Sequence, residues 1–139
     1  MNPRHLRAAV ESFYADVWNR QDTSRIPRLL DPHFTFRGSL GETRTGHDGF
    51  ASYLDFVHGA VSGFTCDILE VVVEPPKVFA RVRFSGNHRG PLLGFPPTGK
   101  PVEWLGAALF TFSGEQIADL WVLGDVDGLT KLLERNADD

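Results

Sequence analysis

Residues 102–125 read VEWLGAALFTFSGEQIADLWVLGD, and their reading decides the fold. Val102 to Phe112 is rich in apolar and aromatic residues, Ser113-Gly114 is a turn pair, and Gln116 to Asp125 resumes an apolar run, so the stretch reads as a long β-hairpin. On a strict two-residue period Ile117, Trp121, Leu123 and Asp125 share one side of the final strand, and Ala118, Leu120 and Val122 share the other. Both sides are apolar, so both are expected to be covered.

Working outward, Arg89 to Pro101 carries four prolines and three glycines, too many for a regular element, and reads as a loop. Before it, Thr65 to Glu74 and Val78 to His88 form a second hairpin around Pro75-Pro76. The N-terminal half has helical periodicity instead. Asn2 caps a helix with Pro3 at its first position and Leu6, Val10, Phe13, Tyr14 and Val17 on one face, ending near Asn19. Ser24 is the expected cap of a short second helix stopped by Asp31-Pro32, and His33 to Arg37 is a short strand. Thr45 and Asp48 form a capping box ahead of Phe50, Tyr53, Leu54, Val57 and Val61. Asp127 to Arg135 makes a short closing helix. Helices first and hairpins second predict one α+β domain over residues 1–139, with three N-terminal helices packed on the concave face of a cone-shaped, curved antiparallel sheet.

Composition narrows the function classes. The 139 residues carry a net charge of −4 and only three lysines, without the broad basic surface that nucleic acid requires. The opening residues lack a signal-peptide stretch and no apolar run is long enough to span a bilayer, so no membrane partner and a cytoplasmic location are expected. The single cysteine, Cys66, closes no intramolecular disulfide, and the five histidines are too dispersed for a short metal motif. Residues 94–100, GFPPTGK, match a phosphate-loop pattern only in part, because Pro101 follows and two prolines remove amide donors. Eleven phenylalanines suggest a greasy interior larger than a solid core needs.

The expected chemistry centres on the final strand. If its Trp121 side faces the cone, Asp125 is a carboxylate in an aromatic chamber, placed as a general base; the alternative is that Asp125 caps the closing helix. His88 shares parity with Val82 and Phe84, and either assists a substrate carbonyl or bonds only to backbone or water. Tyr14 and Trp18 face inward from the first helix, as ligand donors or as core. Phe36, Tyr53, Phe84, Phe95, Trp104 and Trp121 complete the expected lining. Arg81 and Arg83 point outward to surface ion pairs.

The run Val82 to Gly90, then Gly94 to Lys100, then Gly114 to Ile117 with Trp121 and Asp125, resembles the SnoaL-like polyketide cyclase family of the nuclear-transport-factor-two-like superfamily. Phe13-Tyr14, Val17 to Asn19 and Gly46 to Phe50 agree, so the similarity spans nearly the whole chain. The resemblance implies a cystatin-like α+β barrel, usually a homodimer, with no metal or cofactor. It also implies a hydrophobic small-molecule ligand, Asp125 as acid/base in an aldol-type ring closure, His88 as donor to the enolate oxygen, and the Pro-rich loop over the pocket mouth. The chain departs from the family at Leu120, where histidine or glutamate is common, and at Asn87. A binding protein of the same fold is the alternative function, and the outer sheet face, with Ala118, Leu120 and Val122, is the expected dimer surface.

Overall fold

In the computed structural model, which describes residues 1–138, a six-stranded curved sheet has the order β2-β1-β6-β5-β4-β3. The strands are β1 (Leu30–Arg37), β2 (Thr43–Thr45), β3 (Val61–Glu74), β4 (Lys77–His88), β5 (Pro101–Ser113) and β6 (Gln116–Gly124). All neighbours are antiparallel except β1 and β6. Helices α1 (Pro3–Ser12) and α3 (Gly46–Ala60) pack on its inner face, α2 (Ile26–Leu29) is one short turn, and α4 (Val126–Asp138) closes against β5.

Local chemistry explains the helical starts. Asn2 Oδ1 accepts the Arg4 N–H at 2.9 Å, with Pro3 behind it, as the sequence predicts. Two expected caps are corrected. Asp22, not Ser24, caps the second segment, taking both the Ser24 amide and hydroxyl, because a carboxylate accepts two donors at once. Thr45 stands at the start of α3, but its side chain makes no capping bond. After Ser12 the first helix widens into a π-helical turn, Phe13–Asn19, that buries Phe13, Tyr14, Val17 and Trp18 together. Asn19 pins this turn to β3: its Nδ2 donates to the Cys66 carbonyl at 3.1 Å and its Oδ1 accepts the Cys66 amide at 2.8 Å.

The decisive irregularity lies in β6. Thr111 pairs with Asp119 but Phe112 with Ile117, so Ala118 is an extra residue, a β-bulge. One inserted residue reverses the alternation beyond it. Ile117, Leu120 and Val122 therefore all face the core, while Trp121 and Leu123 are 42% and 52% exposed on the outer face. This corrects the strict two-residue reading: the Trp121 side does not face the cone, and Leu120 and Val122 are not an outer surface. Burial of Leu120 and exposure of Trp121 have a measurable consequence. Leu120→Ala is expected to cost about 2–5 kcal/mol in denaturant unfolding, and Trp121→Ala no more than about 1 kcal/mol; the reverse order contradicts the bulge.

Candidate functional site

Between the sheet and the helices lies a narrow, tightly walled aromatic slot with a cavity volume of about 20 Å³. The π turn supplies Tyr14 and Trp18, and β1 supplies Phe36. The next turn supplies Ser39, and α3 supplies Tyr53 and Val57. Phe64 and Phe84 come from β3 and β4, and the bulged β6 adds Leu120 and Val122. The rings interlock: Phe36 meets Tyr53 at 5.1 Å, Trp18 meets Phe64 at 5.1 Å, and Phe64 stacks on Phe84 at 5.7 Å between centroids.

The polar groups of the slot are neutral. The Tyr14 hydroxyl is buried and has no hydrogen-bond partner, and the buried Tyr53 hydroxyl has the Ser39 hydroxyl and the Leu40 backbone beside it. Burial raises the Tyr14 phenol well above its ordinary range, and the neighbouring Cys66 thiol adds to the rise. Burial pushes Tyr53 up to about 12, with the nearby Leu40 backbone and Ser39 hydroxyl drawing it back a little. Burial likewise pushes the Cys66 thiol up, so it remains protonated rather than nucleophilic at neutral pH. At the slot's edge the Trp18 carbonyl accepts a bond from His58 Nε2 at 2.8 Å. Burial lowers the pKa of His58, and the Trp18 carbonyl and Asp55 oppose the shift.

Gly38 makes room for the Tyr53 hydroxyl, since a Cβ on it would stand 2.5 Å from that oxygen. The glycine opens a turn closed by Gly38 N–H to the Glu42 carbonyl and Gly41 N–H to the Gly38 carbonyl. Ser39, on this turn, accepts the Trp104 Nε1–H at 3.3 Å.

The structure thus brings together Tyr14, Trp18, Phe36, Tyr53 and Phe84 of the expected lining. Trp104 is buried behind Ser39, Phe95 is half-buried in the Pro-rich loop, and Trp121 is outside; none of the three lines the slot. Asp125 is exposed and does the alternative job: its Oδ1 accepts the Gly128 N–H at 2.9 Å at the start of α4. It borders a surface concavity with Arg83, Glu103, Leu105 and Arg135, not the aromatic slot. The expected placement of this carboxylate in the chamber is thereby corrected, for the same reason as Trp121. His88 is fully buried, but its Nδ1 accepts the Thr98 amide at 3.3 Å, within the loop that returns to β5. Its Nε2 is buried without a partner. Neither His88 nor Asp125 lines the aromatic slot. Ser39, Val57, Phe64, Leu120 and Val122 were not among the expected site residues. Only the helical stripe through Val57 and the aromatic run offered a signal for any of them.

Among the described residues no three His, Cys, Asp or Glu side chains gather as metal ligands, and no helix is long and apolar enough to cross a membrane.

Known proteins give this geometry a context. The model of the SnoaL-like polyketide cyclase family matches residues 8–133. No functionally curated protein matches the chain in sequence. Among solved structures, TsrD from Streptomyces laurentii is 25% identical with a TM-score of 0.84, covering 96% of this chain and 97% of that one. A SnoaL-like polyketide cyclase from Agrobacterium tumefaciens is 18% identical with a TM-score of 0.81, over 96% and 99% of the two chains. A Mycobacterium tuberculosis LEH-like epoxide hydrolase is 19% identical with a TM-score of 0.76, over 97% and 93%. A Catenulispora acidiphila protein with a ketosteroid isomerase-like fold matches with a TM-score of 0.69, at 16% identity and over 82% of each chain. The fold is the nuclear-transport-factor-two-like one that these proteins share, and with the family model matched over nearly its whole length the chain belongs to the SnoaL-like polyketide cyclase family.

Proposed function

We propose that this protein binds a hydrophobic, uncharged carbonyl compound in the aromatic slot, whose rings part to admit it. The observation that carries the reading is the lining itself: aromatic and aliphatic side chains with a buried Tyr14 hydroxyl that lacks a partner. An unpaired donor in a dry site favours a guest that brings an acceptor, since a satisfied bond recovers about 1 kcal/mol or more. Flat ring faces favour a flat guest.

The chain's contribution to chemistry is then shape and neutral hydrogen-bond donation. A phenol whose pKa lies far above neutrality polarises a carbonyl and does not act as a base. Family membership supports a substrate bound for ring closure, folded by the slot without a cofactor. The lining, which holds neither carboxylate nor imidazole, favours the binding role over proton abstraction by a residue of the slot. Asp125 serves as the cap of α4 in this reading.

The outer sheet face supports a homodimer. Leu105, Trp121 and Leu123 are 49%, 42% and 52% exposed on adjacent strands, with the Arg37 guanidinium 5.5 Å from the Trp121 ring centre. A two-fold contact would cover this patch with the same patch of a second copy.

Three outcomes follow. Titration with 2-acetylnaphthalene, followed by tryptophan fluorescence, is expected to saturate. Val122→Phe, which fills the slot, abolishes binding, Tyr14→Phe weakens it several-fold, and Asp125→Asn leaves it unchanged; loss of binding with Asp125→Asn alone overturns the reading. Thermal stability is expected to fall as pH rises above about 10, because the unfolded tyrosines ionise there while Tyr14 and Tyr53 hold their protons in the fold. Tyr14→Phe should make that fall shallower, and an unchanged slope contradicts the buried phenol. In sedimentation analysis Leu123→Glu is expected to convert a dimer to a monomer; a wild-type monomer contradicts the dimer.

A further inference from the structure

We propose that the turn from Gly38 to Glu42 is the gate of the slot: it lifts as one piece to admit a guest, and the Trp104 indole and the Tyr53 hydroxyl latch it shut through Ser39. The inference rests on the slot being a binding site and adds how a guest enters.

Volume makes a gate necessary. The closed slot holds about 20 Å³, room for about one water, whereas a cavity that takes a benzene ring is on the order of 150 Å³. One wall has to move before any ring system enters. Ser39 is the lining residue that stands on neither a helix nor a strand, while the others are carried by regular elements. Segments outside such elements open at the lowest cost.

The way the turn is fastened points to the same segment. It joins β1 to β2, an edge strand of three residues that pairs with β1 alone. Its two backbone bonds, Gly38 N–H to the Glu42 carbonyl and Gly41 N–H to the Gly38 carbonyl, are internal, so they keep its shape without fixing it to the body. Among the described residues no backbone bond ties residues 39–41 to another element. The Glu42 carboxylate pairs with Arg44 at 2.8 Å, within the same hairpin.

Side chains supply the fastening instead. Ser39 Oγ accepts the Trp104 Nε1–H at 3.3 Å, and the Tyr53 hydroxyl has the Ser39 hydroxyl and the Leu40 backbone beside it. Leu40 itself is half-buried against the core. The fixed side of the latch is firm, since Trp104 is wedged against Phe64 and Phe84, with ring centroids at 6.1 and 5.3 Å. One side-chain hydrogen bond sets the open population to within roughly a two- to tenfold factor. A guest too large for the closed slot binds only the open state, so its apparent affinity scales with that population.

The test reads the latch directly, by hydrogen exchange of the Trp104 indole N–H in nuclear magnetic resonance, against the slowest amides of β5 as reporters of global unfolding. Tyr53→Phe removes the latch hydroxyl. Gly38→Ala wedges the turn away, since its Cβ would stand 2.5 Å from the Tyr53 oxygen. Neither touches the indole bond. In the wild type the indole is expected to exchange at least tenfold faster than the β5 amides, and each variant should speed it a further two- to tenfold relative to them. Calorimetric affinity for 2-acetylnaphthalene should rise by the same factor in each. An indole that exchanges in step with the β5 amides in all three proteins overturns the gate. Faster exchange with unchanged affinity in both variants overturns it too, while leaving the slot as a binding site. Failure of 2-acetylnaphthalene to bind any of the three overturns the slot reading, and the gate with it.

Discussion

The extra residue at Ala118 is the constraint on which the interior depends. A strand that enters the sheet with Ile117 inward would, by plain alternation, send Trp121 and Asp125 the same way. The bulge turns the later residues over, so Leu120 and Val122 close the slot and the indole goes to the outer face. Two uncharged aliphatic side chains at those positions set the electrostatics of the chamber. The Tyr14 and Tyr53 hydroxyls stay un-ionised, and Asp125, beyond the strand's end, is free to receive the first turn of α4.

Much of this architecture was legible in the residues. Asn2-Pro3, the stripe from Phe50 to Val57, the Pro75-Pro76 turn and the Ser113-Gly114 turn each carry a local signal strong enough to set an element, and the elements in that order leave few ways to build the domain. The aromatic side chains of the first helix, β1, α3 and β4 were legible as lining for the same reason: periodicity alone puts Tyr14, Phe36, Tyr53 and Phe84 inward. The bulge was not, because Gln116 to Asp125 is apolar on both faces and so lacks the polar alternation that would betray a slipped period. The error carried directly into the site, placing a carboxylate in a chamber that it only adjoins. Ser39 was hidden differently: the indole that holds it is 65 positions away in sequence, and no local pattern encodes that meeting.

The departure at Leu120 acquires a physical meaning in this setting. It is an inward position, so a titratable residue there would put charge or a proton carrier inside the slot, whereas leucine makes the site one of shape and neutral donors. The fold accommodates either choice, as expected of a scaffold whose chemistry is carried by the few side chains facing its cavity. In the proposed reading the unpartnered Tyr14 hydroxyl carries the cost of an unsatisfied polar group until a carbonyl guest pairs with it.

The most direct test is to locate a bound guest by intermolecular nuclear Overhauser effects to methyl-labelled leucine and valine. With 2-acetylnaphthalene bound, the account predicts signals from the naphthyl protons to the methyls of Leu120 and Val122 and none to Leu123. Signals to Leu123 in place of Leu120 and Val122 would place the guest on the outer face, and would contradict both the bulged register and the uncharged slot as the functional site.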